Sequence, residues 1–145
     1  PASTSDVWAS ASASAPSASA SAAPPAVNGP YTGGDLTWYT PGEMGETACG
    51  RNYSDTDPIA ALPQQFFDAY PGATANPNVS PLCGRRIIIS AAPSPGAPIM
   101  NVTAIVEDIC GTCNISTSVD VTPIIFTQVA PESVGRLHNI SWDWV

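Results

Sequence analysis

The sequence predicts a small, mainly β domain that closes into a barrel and is stabilised by disulfides. From Gly33 onward, short runs of β-branched and aromatic residues alternate with Gly and Pro, which is typical of strands joined by tight turns. Only two segments carry the signals of a helix. A closed barrel is the arrangement of such strands that leaves no unpaired edge.

The chain divides at about residue 27. The residues before this point are almost entirely Ala, Ser and Pro, so they have no bulky side chains whose burial could offset the entropy of ordering. We therefore expect residues 1–27 to form a disordered tether. Residues 28–145 have the size and composition of one folded domain.

Strand and helix signals follow one another through this domain. The predicted strands are 35–40, 58–62, 85–92, 98–108 and 136–145, and the predicted helices are 64–70 and 124–129. Pro63 lies in the first turn of the first helix, while Thr122 is the expected N-cap and Pro123 the first residue of the second. The helices are short and the strands dominate.

Strict alternation within the fourth strand predicts which of its side chains face the core. Val102, Ala104, Val106 and Asp108 fall on one face, because successive side chains of a strand point to opposite sides. The first three are apolar. We therefore expect Asp108 to lie at the end of a core-facing row.

Charge and hydropathy exclude several classes of partner. The chain has 4 Lys+Arg against 12 Asp+Glu, a formal net charge of −8, which repels phosphate groups. No apolar run approaches the roughly 18 residues of a membrane-spanning helix. We expect neither nucleic acid nor a membrane as partner, no cofactor, and a monomer.

The cysteines and glycosylation sequons indicate a secreted protein. One sequon alone would mean little, but five in a domain of this size favour an extracellular glycoprotein and an oxidising compartment. The sequons are at Asn52, Asn78, Asn101, Asn114 and Asn139.

We interpret the four cysteines as two disulfides. A zinc site would need a second short-spaced ligand pair beside Cys110-X-X-Cys113, and Cys49 and Cys83 do not supply one. We therefore expect no metal. A thioredoxin-like redox pair would lie at the start of a helix, whereas a Ser/Thr-rich loop follows Cys113 here.

Five short landmarks occur in a fixed order. They are Asp35-Leu-Thr-Trp-Tyr-Thr40, Thr47-Ala-Cys49-Gly50, Leu82-Cys83-Gly84, Val106-Glu-Asp108-Ile-Cys110-Gly-Thr-Cys113 and Val119-Asp120-Val-Thr122-Pro. Together they resemble the double-psi β-barrel of the expansin-like and RlpA-like superfamily, and in particular its small single-domain fungal members, the loosenins. The resemblance covers residues 33–145 and implies six strands. It also implies the disulfides Cys49–Cys83 and Cys110–Cys113.

The same resemblance points to the candidate site. In expansin-like barrels, the Asp of a V-x-D motif and that of a D-L-S-like motif line a polysaccharide groove, and Asp108 and Asp120 match them here. A carboxylate at a strand end more commonly only fastens a loop. Sugar rings stack on flat side chains, so Tyr39, with Thr37 on its strand face and Trp38 on the other, completes the predicted groove.

The chemistry expected of this groove is not hydrolytic. Glycoside hydrolysis by inversion needs an acid and a second carboxylate that activates water. Related family 45 endoglucanases carry that base directly after the first-strand aromatic motif, where this chain has Thr40 and Pro41. His138, the single histidine, lies in the last strand and is expected to be structural.

The leading hypothesis is therefore a secreted expansin-like protein that binds cell-wall polysaccharide (cellulose, xylan, chitin or peptidoglycan) and loosens it without hydrolysis. One alternative is a protein-binding module such as a cysteine-protease inhibitor or effector, acting through loops 71–81 or 92–98. Another is a weak glycan-cleaving enzyme of the lytic-transglycosylase or endoglucanase type, in which Asp120 would be the acid. Of these hypotheses, we prefer those in which the protein is not an enzyme.

Overall fold

The computed structural model describes residues 27–145, which form one six-stranded β-barrel with two short α-helices. The strands are β1 (Tyr31–Trp38), β2 (Ile59–Pro63), β3 (Arg86–Ala91), β4 (Met100–Cys110), β5 (Val119–Val121) and β6 (Arg136–Trp144), and the helices are α1 (Gln64–Ala69) and α2 (Pro123–Phe126). Most of the predicted tether, residues 1–26, lies outside the described residues. Neither helix of the described part is long and apolar enough to span a membrane.

The strands close in the order β1–β5–β2–β4–β3–β6, with β6 paired back to β1. Two of the six pairings are parallel, β1 with β5 and β2 with β4, and the other four are antiparallel. Every strand therefore has two neighbours, and the barrel has no free edge. The predicted six-stranded double-psi barrel is confirmed.

The register of the β1–β5, β2–β5 and β2–β4 pairs brings three separate parts of the sequence together. Thr37 on β1 pairs with Asp120 on β5. On β2, Ala61 is opposite Asp120 on one side and Asp108 on the other. Two carboxylates that are 12 positions apart in the sequence thus flank one small alanine on the barrel wall.

The barrel interior is apolar and holds side chains from every strand. Both helices contribute, since Phe66 and Phe67 of α1 and Ile125 and Phe126 of α2 are buried. Each fully buried large side chain contributes about 1.5–3 kcal/mol of hydrophobic stabilisation. The largest are Trp142, Phe66, Phe126, Leu36, Ile59, Leu62, Leu82, Ile87, Ile89, Ile125, Ile140 and Val106.

Two disulfides add to this core, Cys49–Cys83 and Cys110–Cys113, which are the pairings that the resemblance implies. Their sequence separations are 34 and 3 residues. Loop-closure entropy gives about 4 kcal/mol for the long bond and about 2 kcal/mol for the short one. The long bond therefore carries more of the stability, and it anchors the loop that contains Ala48.

Several predicted boundaries are wrong. Strand β1 begins at Tyr31 and ends at Trp38, and α2 ends at Phe126 instead of continuing to residue 129. Thr122 does occupy the N-cap of α2, but its side chain accepts no hydrogen bond from a helix amide; its hydroxyl instead donates to the carbonyl of Asp57 at 2.6 Å and lies 3.5 Å from that of Ile59. Tertiary contacts have replaced the local cap that sequence rules assume.

The strict alternation predicted for β4 is also wrong at its end. Val102, Ala104 and Val106 are buried in the core as expected. A register shift follows, because Ala60 pairs with Val106 whereas the next residue, Ala61, pairs with Asp108. An extra residue in one strand is a bulge that re-aims the side chains after it, so Asp108 leaves the core row and lies beside Tyr39 instead.

A second irregularity, at Gly34, lets the chain after β4 approach β1. The β1–β6 register shifts on both sides of Gly34. A Cβ atom at this position would collide with the carbonyl group of Thr117. The close approach also allows the amide of Asp35 to donate to the hydroxyl of Ser118, at 2.9 Å. Gly34 is therefore needed for close packing.

We predict that Gly34→Ala destabilises the protein by about 1–3 kcal/mol, the usual cost of overpacking. Gly42→Ala is the matched control, because a Cβ there would make only ordinary contacts of 3.6 Å or more. Thermal unfolding followed by circular dichroism checks this. A midpoint for Gly34→Ala equal to that of the control would contradict the proposed packing role.

Candidate functional site

Four of the predicted site residues meet in two hydrogen-bonded pairs. The hydroxyl of Thr37 donates to Oδ1 of Asp120 at 3.0 Å, and the phenol of Tyr39 donates to Oδ2 of Asp108 at 2.9 Å. Thr37 and Tyr39 are two residues apart at the end of β1, so they point to the same side. The surface formed by these four residues is called the groove below.

Asp108 is held by three donors. Besides the phenol, the backbone amides of Ala48 and Ile109 each donate to Oδ1 at 2.9 Å. Hydrogen bonds to a charged carboxylate are stronger than those between neutral groups. Asp108 therefore fastens the disulfide-anchored loop of Ala48 to the end of β4, which is the structural role considered for it above.

Asp120 is in a different environment. The pKa of its carboxyl is raised to about 6, chiefly by burial and also by the charge of Asp108, while the hydrogen bond from Thr37 and the field of Arg136 act in the opposite direction. Its second oxygen, Oδ2, lies 3.9 Å from Sγ of Cys110, a disulfide sulfur that has no hydrogen to donate. Near pH 6, Asp120 is present in both its protonated and its charged form.

Tyr39 remains protonated at all physiological pH values. Burial raises the pKa of its phenol, and the neighbouring charges of Asp108 and Asp120 raise it further. The phenol is therefore a fixed donor to Asp108. The residue is half-buried, so part of it remains exposed to solvent.

The groove contains one carboxyl suited to proton transfer. Asp108 is engaged by three donors, whereas Asp120 has one hydrogen-bond donor, Thr37, and a pKa near that of a general acid. Hydrolysis with inversion requires a second carboxylate that is free to activate water. Within residues 27–145, no cluster of three or more His, Cys, Asp and Glu side chains could hold a metal ion.

Trp38 is not part of this hydrogen-bonded set. Its indole packs against the core and its Nε1 donates to the carbonyl of Glu132 at 3.0 Å. This position is on the opposite face of β1 from Thr37 and Tyr39, as alternation requires. Tyr39, the residue directly after β1, is therefore the aromatic residue that faces the groove.

A cavity of about 140 Å³ lies next to the groove. Sequence reasoning missed its polar wall, in which Asp35 accepts from Nη1 of Arg136 at 2.7 Å and lies 3.1 Å from Nδ1 of His138. Burial opposes ionisation of Asp35, but the hydrogen bonds from these two partners outweigh it and lower the pKa. The remaining lining residues include Thr37, Cys110, Thr112, Cys113, Asn114, Ile115 and Ser118.

The two-residue spacing was the available signal for this wall. Asp35 and Thr37 are two residues apart on β1, and so are Arg136 and His138 on β6. Each pair therefore shares one face of its strand. His138 was expected to be structural. Its side chain is 75% exposed and contacts Asp35 without lining the cavity.

The five sequon asparagines, predicted as glycosylation sites, are all exposed. Asn114 differs from the others because it also lines the cavity beside the groove. Asn101 is engaged within the sheet, where it accepts from the hydroxyl of Ser90 at 2.6 Å. Exposure is necessary for glycosylation, and occupancy of these sites stays a prediction.

The raised pKa of Asp120 predicts a pH-dependent stability. The folded protein binds this proton more tightly than the unfolded chain, whose Asp has a pKa near 3.8. This stabilisation is complete below about pH 4 and is lost as the pH rises through about 6, at a cost of about 1–3 kcal/mol. Asp120→Asn removes the buried charge and keeps an acceptor for Thr37.

We therefore expect Asp120→Asn to unfold several degrees above the wild type at pH 7.5 and at the same temperature at pH 4. Asp68→Asn, which changes an exposed carboxylate on α1, is the control and should show no such pH-dependent difference. Thermal unfolding at the two pH values is the measurement. Equal midpoints for wild type and Asp120→Asn at both values would show that Asp120 carries no buried charge.

Comparison with known proteins places the chain among small barrels of this type. It is 31% identical over 113 residues to the papain inhibitor of Streptomyces mobaraensis. The aligned region covers 77% of this chain and 70% of that protein. The solved structure of a Streptomyces papain inhibitor superposes with a TM-score of 0.63 at 28% identity, over 82% of this chain and 96% of the inhibitor. No protein-family model matches the sequence.

Expansins share the fold at lower similarity. A point mutant of the Clavibacter michiganensis expansin, solved with cellohexaose, gives a TM-score of 0.55 at 19% identity, and its apo form gives 0.55 at 18%. In both cases the match covers 79% of this chain and 50% of the expansin, so the chain spans half of their length. The barrel is thus expansin-like in fold, and the chain belongs to the family of the Streptomyces papain inhibitor.

Proposed function

We propose that this protein is extracellular, binds cell-wall polysaccharide in the groove, and loosens it without hydrolysis, in the manner expected of a loosenin. The observation that carries this proposal is the pairing of Thr37 with Asp120 and of Tyr39 with Asp108, four partly exposed residues that lie together. Two disulfides and five exposed sequon asparagines support an oxidising, extracellular environment.

The groove offers the groups that sugar hydroxyls require. Asp120 accepts hydrogen bonds when charged and donates one when protonated, and its raised pKa keeps both forms present in mildly acidic surroundings. Tyr39 supplies part of an aromatic ring beside it. A net charge of −8 favours a neutral polymer over a polyanion.

Binding without cleavage follows from the unequal state of the two carboxyls. Three donors hold Asp108, so it is poorly placed to take a proton from water. Asp120 alone provides an acid without its base. The expansin solved with cellohexaose shares this barrel fold, and a short neutral glucan is the kind of ligand that we expect here.

A pull-down against insoluble cellulose, xylan, chitin and peptidoglycan tests this function. We expect retention on at least one polymer, and Asp120→Ala and Tyr39→Ala should each weaken it by roughly tenfold or more, the loss of about 1.4 kcal/mol. Asp68→Asn is the control that leaves the groove intact. Soluble sugars are quantified by mass spectrometry in the same experiment, and none should be released.

Two results would contradict this proposal. Release of reducing ends or anhydro-sugars would make the protein an enzyme. Absence of retention on all four polymers would remove polysaccharide as the partner. Tyr39→Phe refines a positive result, because it keeps the ring but removes the donor to Asp108.

Inhibition of a cysteine protease is the second candidate function. The 31% identity to a papain inhibitor favours it directly. An inhibitor acts through projecting loops, and loops 71–81 and 92–98 are the candidates. Val79 lies in the first loop with 63% of its surface exposed, and Ile99 follows the second with 70% exposed. Exposed apolar side chains of this kind commonly anchor a protein interface.

If the protein is an inhibitor, Val79→Asp or Ile99→Asp should weaken inhibition of papain by about tenfold or more. Met44→Asp, at a site 72% exposed but outside both loops, is the matched control. Asp120→Asn should leave inhibition unchanged, because the groove would take no part. If micromolar wild-type protein leaves the activity of papain unchanged, this function is excluded.

A further inference from the structure

We propose that the Cys110–Cys113 disulfide is a positioning element of the site: it holds segment 111–116 as the wall of the cavity beside Asp120, and its reduction opens that wall while the barrel stays folded. Only the part of this inference that concerns ligand binding rests on the proposed function. The structural part stands on the contacts of the segment itself.

The disulfide lies at the junction of the groove and the cavity. Cys110 is the last residue of β4, is buried, and is opposite Pro63 of β2. Both sulfur-bearing residues line the cavity. Sγ of Cys110 is 3.9 Å from Oδ2 of Asp120 and 3.8 Å from the hydroxyl of Thr112. The disulfide therefore links the end of β4 to segment 111–116 next to the carboxyl of Asp120.

Segment 111–116 has few other attachments. Among the described residues, its hydrogen bonds stay within residues 110–118: the amide of Cys113 donates to the carbonyl of Cys110 at 3.5 Å, and the amide of Ser118 donates to the carbonyl of Ile115 at 3.0 Å. The cysteine bridge is thus the covalent link that fixes the middle of the wall.

Firm attachment to the barrel begins only at the end of this segment. The hydroxyl of Thr117 donates to the carbonyl of Thr32, and Nε1 of Trp142 donates to the carbonyl of Thr117, each at 3.0 Å. The hydroxyl of Ser118 accepts from the amide of Asp35 at 2.9 Å. These contacts do not involve the cysteines, so they would persist when the bridge opens.

The short span of the bridge is consistent with a local role. Its two cysteines are 3 residues apart, against 34 for Cys49–Cys83. A short closed loop restricts the unfolded chain less than a long one. The stability of the barrel therefore depends mainly on the long bridge and the core, whereas the short bridge acts on the wall.

Opening requires an external dithiol. One thiolate of the dithiol attacks Sγ of Cys113, the more exposed of the two cysteines, and Cys110 leaves as a thiolate that takes up a proton. The second thiol then attacks the mixed disulfide, Cys113 is released as a thiol, and the reagent becomes a disulfide. Two electrons and two protons pass to the protein.

Reduction of the disulfide has two effects on Asp120, and both lower the pKa of its carboxyl. Movement of the wall admits water, which removes part of the burial that raises the pKa of Asp120. Cys110 also gains a hydrogen that it can donate to the carboxylate. The other groups that act on Asp120, namely Thr37, Asp108 and Arg136, lie outside segment 111–116. The charged form of Asp120 should therefore be favoured.

The test compares Cys110→Ala/Cys113→Ala with Cys49→Ala/Cys83→Ala. The first variant should unfold closer to the wild-type temperature than the second. Amide exchange in 111–116, measured by mass spectrometry, should accelerate by about tenfold or more in the first variant. The midpoint of the Asp120 carboxyl titration, followed by carbon-13 NMR, should fall from about 6 by at least roughly one pH unit.

Wild-type protein treated with dithiothreitol, with its free thiols then counted by alkylation, is the second measurement. Selective reduction of Cys110–Cys113 should reproduce the exchange and the titration of the variant. Unchanged exchange and an unchanged Asp120 midpoint would overturn the inference, as would global unfolding of both the variant and the selectively reduced protein.

Polysaccharide retention by the same variant separates this inference from the proposed function. If the wild type is retained on a polymer, the variant should be retained at least about fivefold less. If the wild type is retained on none, the proposed function fails, but the exchange and the titration still decide whether the disulfide positions the wall.

Discussion

The parallel pairing of β1 with β5 is the constraint on which the site depends. It places Thr37 opposite Asp120, and closure of the barrel through β2 brings Asp108 to the other side of Ala61. Parallel neighbours need a long connection, so the residues of the groove come from distant parts of the sequence. Closure of the barrel therefore both removes the strand edges and assembles the groove.

The two carboxyls have separate tasks because their surroundings differ. Asp108 receives three hydrogen bonds and fixes the loop of Ala48, which the long disulfide also anchors. Asp120 receives one hydrogen bond from Thr37 and is held in a buried position that raises its pKa. Burial of a charged carboxyl lowers the free energy of unfolding, and functional sites commonly contain such destabilising groups.

Patterning predicted the barrel, but several local features depend on tertiary contacts that no short window contains. Alternation correctly placed Val102 to Val106 in the core, and it failed at Asp108 because the bulge depends on pairing with β2. Alternation predicted one strand face for Thr37 and Tyr39, whereas their hydrogen bonds to Asp120 and Asp108 depend on closure of the barrel. The cavity wall of Asp35 and Arg136, with His138 in contact with Asp35, was missed because it requires the β1–β6 register.

NMR titration of isotopically labelled protein with soluble cello-, xylo- and chito-oligosaccharides tests most directly whether the groove binds sugar. We expect at least one of them to cause saturable shift changes confined to Thr37, Tyr39, Asp120 and the neighbouring segment 111–116. Changes centred on loops 71–81 and 92–98, or no changes at millimolar sugar, would contradict the assignment of the groove as the binding surface.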